Sequence, residues 1–320
     1  RRWLRYSMRT MLVAVTLLCI WLGVVVGWAR RQQQVVEKLR EASARVTVRY
    51  DFEQEGPDAL RGPEWLRQWL GVDYFQDVVS VSLHLTRGDE VTPDDLAKLR
   101  GLRELAVYNM AITDDGLRKI ARLRKLKSLW FDSDHVTDRG LVHLASLTEL
   151  EYLGVPSDQI TGEGLHVLKE AGKLKSLELG SNRVTPRGME AVAQLTSLER
   201  LSVRSDSLTD ECLRPLSKLT GLRGLTIAGR GLSADAPPGV TDEGLRHIVR
   251  LSKLTQLRVR SPSITDAGLA QLSKISGLQL LDIANEQPVY TEEGIAALQD
   301  QLPNLHVYHS AWEPVRGKPG

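Results

Sequence analysis

The stretch LKSLELGSNRVTPRGMEAVAQLTS, Leu174 to Ser197, decides the fold. Leu174, Leu177 and Leu179 open it, Asn182 follows, and Val184-Thr185 leads into Gly188-Met189, Val192 and Leu195. The same marks recur 24 residues away on either side, through Leu150, Leu153, Val155 and Asp158 before it and Leu198, Leu201, Val203 and Asp206 after it. Self-similarity at such a fixed period predicts a solenoid. In each unit L-x-x-L-x-L reads as a short strand with leucines on one side. Ile or Val then leads to a Thr whose hydroxyl suits a helix N-cap, and apolar residues at steps of three or four give a short helix with one buried stripe. Neither element can bury its apolar side alone, so the units must stack, with a parallel sheet inside the curve and helices outside.

Strand starts recur from Val78-Val81-Leu83 through Leu102, Leu126, Leu150, Leu174, Leu198, Leu222, Leu254 and Leu278 to Leu302-Leu305-Val307, predicting about ten coils over residues 78–308. The capping threonines are Thr92, Thr113, Thr137, Thr161, Thr185, Thr209, Thr241, Thr265 and Thr291. The step from Thr209 to Thr241 is 32 residues, which places an eight-residue insertion near 229–238, GRGLSADAPP. Its Gly-Arg-Gly lacks the following helix that a phosphate loop needs. Asp134, Asp158, Asn182 and Asp206 share one position after the strand, where a short polar side chain can bond the turn backbone of its own or the adjacent coil. A structural role is expected for them rather than a metal site.

The amino-terminal part differs in kind. Residues 1–45 hold nine Arg or Lys against two Glu, a balance of +7, so with a net charge of +2 the remainder carries about −5. A basic nucleic-acid face over the solenoid is therefore disfavoured. Thr10 to Ala29 contains no charge over twenty residues, about the roughly 30 Å of a bilayer core when helical. A transmembrane helix is expected over 10–29, after a basic tail at 1–9, in preference to a cleaved signal peptide. Arg1, Arg2, Arg5 and Arg9 favour a cytoplasmic amino end and export of the rest, against the pull of Arg30 and Arg31. Residues 30–45 read as a juxtamembrane helical stalk with a solvated charged face. Residues 46–77 read as an amino-terminal cap of one strand, from Val46, and one helix, begun by Pro63, packed through Trp65-Leu66 and Trp69-Leu70 and stopped by Gly71. The tail, 309–320, covers the far end and frays.

The strings Ile112-Thr-Asp-Asp-Gly-Leu117, Val136-Thr-Asp-Arg-Gly-Leu141, Val240-Thr-Asp-Glu-Gly-Leu245 and Ile264-Thr-Asp-Ala-Gly-Leu269 resemble the ITDxGL half of leucine-rich repeats, above all the ribonuclease-inhibitor-like and cysteine-containing types. With the Arg-flanked apolar run, the chain resembles bacterial single-pass, membrane-anchored leucine-rich-repeat proteins. The resemblance implies an α/β horseshoe. The cysteine that names one type is replaced here by Asp or Asn. Eukaryotic proteins with such repeats serve as F-box substrate receptors, but no F-box-like helical module precedes the repeats.

Sequence motifs point away from catalysis. His306 and His309 are spaced to opposite faces of a strand, and no G-x-S-x-G, P-loop or H-E-x-x-H is present. The two cysteines, Cys19 and Cys212, imply no disulfide framework. Neither a cofactor nor a metal is expected. Register places two columns on the concave side of the sheet. Tyr108, Trp130, Asp132 and Tyr152 gather in the first half with Glu178 at the middle, while Arg200, Arg204, Arg258 and Arg260 gather in the second. These nine are the candidate ligand-binding residues, with Trp130 foremost, because an aromatic among small neighbours serves no strand packing and buried Trp or Arg anchors carry most interface energy. The expected function is non-catalytic recognition of a protein or peptide, or of a glycan, through the concave face of a membrane-tethered solenoid on the extracytoplasmic side. The rival reading is a structural or adhesion spacer.

Overall fold

Leucines at one repeat position stack across the sheet as expected. Leu153, Leu177, Leu201, Leu225, Leu257 and Leu281 are register partners in successive strands. Each is between 0% and 2% exposed. At about 1.5–3 kcal/mol for each buried leucine, this column and its neighbours drive the stacking. The computed structural model describes residues 8–42, 46–51, 53, 64–71, 74–85, 91–229, 239–283 and 288–309. Its strands are β1 (Val46–Tyr50), β2 (Val78–His84), β3 (Glu104–Tyr108), β4 (Ser128–Phe131), β5 (Tyr152–Pro156), β6 (Ser176–Gly180), β7 (Arg200–Arg204), β8 (Gly224–Ala228), β9 (Gln256–Arg260), β10 (Leu280–Asp282) and β11 (His306–Tyr308). They form one sheet in sequence order. β1 lies antiparallel on β2, and the later strands pair in parallel.

The return segments are short. Coils such as Asp114–Ile120, Pro186–Val192 and Asp266–Leu272 make two turns of α-helix, while Glu163–Glu170 is a 3-10 helix throughout. Thr113, Thr185, Thr265 and Thr291 cap their helices as the spacing predicts. Thr161 and Thr209 depart from that role: Gly162 stands at the N-cap of the first, and Thr209 makes no capping bond to its helix.

The aspartate of the T-D-x-G string bonds across coils. Asp114 accepts from Thr137 N and Oγ1, both at 2.8 Å. Asp242 does the same for Thr265 at 2.9 and 2.6 Å, and Asp266 for Thr291 at 2.7 and 2.9 Å. Asp210 reaches Thr241 at 2.8 and 2.7 Å, so the coil register survives the insertion. The insertion beyond Gly229 lies outside the described residues. The glycine three residues after each stapled threonine leaves room for the aspartate of the preceding coil, since a Cβ at Gly268 would stand 2.0 Å from Asp242 Oδ1 and one at Gly244 2.3 Å from Asp210 Oδ1. The chain of Asp134, Asp158, Asn182 and Asp206 is also inter-coil: Asp158 N donates to Asp134 Oδ1 at 3.2 Å and Asn182 N to Asp158 Oδ1 at 3.1 Å.

The amino-terminal end corrects two expectations. α1 runs unbroken from Met8 to Ala42. Residues 30–42 are not a stalk standing off the solenoid: Val35, Val36 and Leu39 are buried in its core. The buried Gln32 side chain donates to Gln76 O at 2.8 Å and accepts from Val78 N at 3.4 Å, and Lys38 pairs with Asp95 at 2.7 Å. The apolar stripe Val35-Val36-Leu39 is the inner face of a cap, because the open edge of the first coil must be covered. α2 (Glu64–Leu70) ends at Gly71, whose N–H bonds to Arg67 O at 2.8 Å. Trp65, expected in the cap core, is 68% exposed. The side chains of 66, 69 and 70 and the residue at 63 lie outside the described set.

The predicted span 10–29 lies inside α1, where Met11, Leu12, Leu17, Leu18, Ile20 and Val24 are all more than half exposed. Among the described residues, no helix is long and apolar enough to cross a membrane. The side chains at 9, 21, 22 and 25 are outside that set, as are the basic tail 1–7 and the residues from 310 on.

Candidate functional site

The two concave columns follow from strand alternation: Leu105, Leu129 and Leu153 point into the core, so Ala106, Trp130 and Gly154 between them project from the inner face. The predicted aromatics meet. His84 and Tyr108 stack with ring centroids 3.9 Å apart and planes 7° apart, and Tyr108 lies 4.1 Å from Trp130 at a tilt of 34°. Trp130 leans over the next coil at Gly154, where a Cβ would stand 2.2 Å from Trp130 Cδ1 and would push the indole aside. The result is a half-exposed aromatic platform across β2 to β4. His84 belongs to it as well, and its place in the column is the signal in the sequence that could have found it. Asp132 follows Trp130 as an exposed residue after the strand.

A polar cluster follows on β5 to β7. Tyr152 Oη donates to Glu178 Oε2 at 3.2 Å, and Arg204 pairs with the other oxygen of the same carboxylate. Burial pushes the Tyr152 phenol up to about 12, with the Glu178 charge adding to the effect. The phenol is therefore a fixed donor at neutral pH, and Glu178 is held from both sides. Glu104, at the start of β3, is tied at 2.6 Å to Arg49 on β1.

On β9 and β10, Arg258 Nε donates to Asp282 Oδ2 at 2.5 Å, and Arg260 lies 3.9 Å from the same oxygen. Asp282 is 6% exposed and serves both guanidinium groups. Over the second half, Arg200, Arg204, Arg258 and Arg260 stand against Glu178 and Asp282, leaving +2. The sequence list missed Asp282, whose position in the middle column was legible but whose neighbours across the coil were not.

Between these groups lies a hollow of about 230 Å³ over β6 to β9, bounded by Tyr152, Glu178, Arg200 and Arg258 with Ser202 and Thr226 below. The structure thus brings Tyr152, Glu178, Arg200 and Arg258 together and leaves Tyr108, Trp130 and Asp132 in a separate part of the face. A larger groove of about 510 Å³ lies on the outer side, bounded by Arg118, Arg122, Arg124 and His143. Arg118 there is taken by Asp115, and the Ser146 hydroxyl by Ala121 O at 2.8 Å. No group of three or more potential metal ligands occurs among the described residues.

Residues 173–193 match the family model described as Leucine Rich repeat. Solved structures with similar folds include an internalin (inlF) from Listeria monocytogenes, 18% identical, covering 80% of this chain and 89% of that one with a TM-score of 0.34. An internalin C2 (inlC2) from the same organism is 22% identical over 70% of this chain and 85% of that one, with a TM-score of 0.44. The TLR13–ssRNA13 complex is 17% identical over 72% of this chain and 31% of that one, also at 0.44. No curated protein sequence matches. The matched segment is one leucine-rich repeat, and the coils on both sides of it repeat its strand in the same register.

Proposed function

We propose that the protein is a membrane-anchored recognition protein that binds a protein or peptide on its concave face and performs no chemistry there. One observation carries this reading: the inner face of a rigid sheet holds an aromatic platform and a cationic hollow that the packing of the coils does not require. The leucine columns and the strand ladder hold the array, and of these side chains the Arg204–Glu178 pair also ties neighbouring coils. Aromatic and arginine side chains on a preorganised surface are the usual anchors of an interface.

The anchor is supported by the twenty uncharged residues Thr10 to Ala29 and by the exposed apolar side chains of that part of α1, which water would not tolerate as an isolated helix. The described side chains alone do not amount to a span, and the sequence of the run supplies the rest. The arginines at 1, 2, 5 and 9 support an extracytoplasmic repeat domain.

The test is photo-crosslinking in cells. A crosslinker at Ala106, in the concave column, should yield one dominant protein adduct, and one at the exposed Gln194 on the outer side should not. Trp130→Ala and Arg258→Glu should each weaken that adduct without unfolding the chain. A diffuse set of adducts from both positions, indifferent to both substitutions, would mark a spacer instead.

A further inference from the structure

We infer that the hollow over β6 to β9 is a carboxylate-binding subsite, built to take an acidic side chain of a peptide segment whose aromatic or apolar residue lies on the Trp130 platform; this rests on the concave-face reading above.

The floor of the hollow is polar and unspent. Ser176, Ser202 and Thr226 are half-exposed and their hydroxyls bond to no group among the described residues, unlike those of Ser133, Ser157, Ser181 and Ser261, which bind carbonyls of the preceding coil. Gly224 deepens the floor, and the Arg200 stem lies along it, with Cγ at 3.4 Å from where a Cβ would stand. Arg200 is exposed and forms no ion pair among the described residues. Arg258 turns one edge of its guanidinium to Asp282, through Nε, and bounds the hollow from the other side. Glu178, the one acid on the rim, is neutralised by Arg204 and by the Tyr152 hydroxyl. An incoming carboxylate therefore meets an unpaired guanidinium, a second one beside it and the hydroxyls of Ser176, Ser202 and Thr226. That set suits a planar anion with several acceptor sites.

Spacing favours a peptide over an isolated acid. From β4 to β8 is four strand steps, about 19 Å at ~4.8 Å each, which an extended chain covers in about six residues at ~3.3 Å apiece. The platform and the hollow can thus be occupied together by one segment.

The experiment uses the full chain in lipid nanodiscs and fluorescein-labelled, carboxy-amidated peptides. Each has a Trp, a five-residue Gly/Ser spacer and a terminal Glu-Glu, Gln-Gln or Lys-Lys; a fourth ends in Gly-Gly with a free carboxylate. The Glu-Glu peptide should bind at least tenfold tighter than the Gln-Gln peptide, and the Lys-Lys peptide weakest. Arg200→Gln should bring the Glu-Glu and Gln-Gln affinities level with the thermal midpoint unchanged; Arg258→Gln should also level them but lower the midpoint, because Asp282 is then left with Arg260 at 3.9 Å. Tight binding of the fourth peptide alone would move the assignment from an acidic side chain to a chain terminus and overturn it in that form. Equal affinity for Glu-Glu and Gln-Gln, with Trp130→Ala still weakening both, would overturn the subsite and leave the concave-face reading standing. Binding indifferent to Trp130→Ala and both arginine variants, or no binding by any peptide, would overturn both. Arg200-dependent binding of polysialic acid in place of the peptides would give the face to a glycan.

Discussion

The carboxylate of Asp138 accepts from four donors: Thr161 N at 2.8 Å, Thr161 Oγ1 at 2.9 Å, Gly162 N at 3.1 Å and Gly164 N at 2.9 Å. Removing it strands backbone amides in a partly buried turn between two coils. Asp138→Ala should cost about 1–3 kcal/mol in chemical denaturation. Asp158→Ala should cost less than about 1 kcal/mol, because its bond to Asn182 N, at 3.1 Å, lies in an exposed turn where water can replace it. Equal losses would deny the staple its role. Both aspartates recur with the repeat in the sequence, which makes them periodic without saying what Asp138 bonds. Its true partner is a threonine 23 residues on, a neighbour only once the coils are stacked. The concave residues divide the same way. Column membership of Trp130 and Arg258 follows from alternation, while the pairing of Arg258 with Asp282 depends on side-chain reach across a coil, which periodicity does not carry.

At the scale of elements, α1 joins two tasks that the sequence suggested were separate. Its first part is apolar and exposed, and its second part caps the solenoid with no break between them. The charge-free run was legible as twenty residues without Asp, Glu, Lys or Arg. The cap was not, because Val35, Val36 and Leu39 among Gln, Glu, Lys and Arg are equally what a solvated amphipathic stalk would show. Deleting residues 1–45 should therefore expose the first coil and lower the thermal midpoint sharply, whereas deleting 1–28 should leave it nearly unchanged in detergent. The same cap gives a pH dependence. Burial pushes the Asp95 carboxyl up, but hydrogen bonds from Lys38, Lys98 and Thr92 outweigh it and hold the group well below its ordinary 3.8. A folded value below the unfolded one means the contribution is complete above about pH 4 and is lost as pH falls through and below it. Asp95→Asn should flatten the acid limb of the stability profile. A truncation at 46 as stable as the full chain, or an unchanged acid limb in the variant, would show that the cap is dispensable.

Over the whole molecule, stability is a sum of coils and the interfaces between neighbours, so the weakest interface sets where the array opens. The Asp-Thr staple links Asp114 to Thr137 and Asp138 to Thr161, and resumes from Asp210 to Thr241. Between them the aspartate is replaced by Gly162 in one coil and Pro186 in the next. Glu163 reaches Thr185 at 3.3 Å in partial compensation, but Thr209 receives no carboxylate, and its hydroxyl sits 3.7 Å from Cys212 Sγ. The seam between β6 and β7 is therefore held by its leucines, by Ser207 bonding Val184 O at 3.0 Å and by the Arg204–Glu178 pair across the concave face. Native-state hydrogen exchange should find its lowest opening free energy at β6 and β7, with the flanking blocks better protected. Glu178→Gln should lower it further by weakening the bridge. The proposed carboxylate subsite straddles the same seam, since its floor runs from Ser176 on β6 to Thr226 on β8. An acidic peptide bound there would tie the two blocks together, so its binding should raise protection at β6 and β7 more than at β3 or β10. Uniform protection along the array, with or without peptide, would mean that the leucine columns alone set cooperativity and that the missing staple has no mechanical consequence.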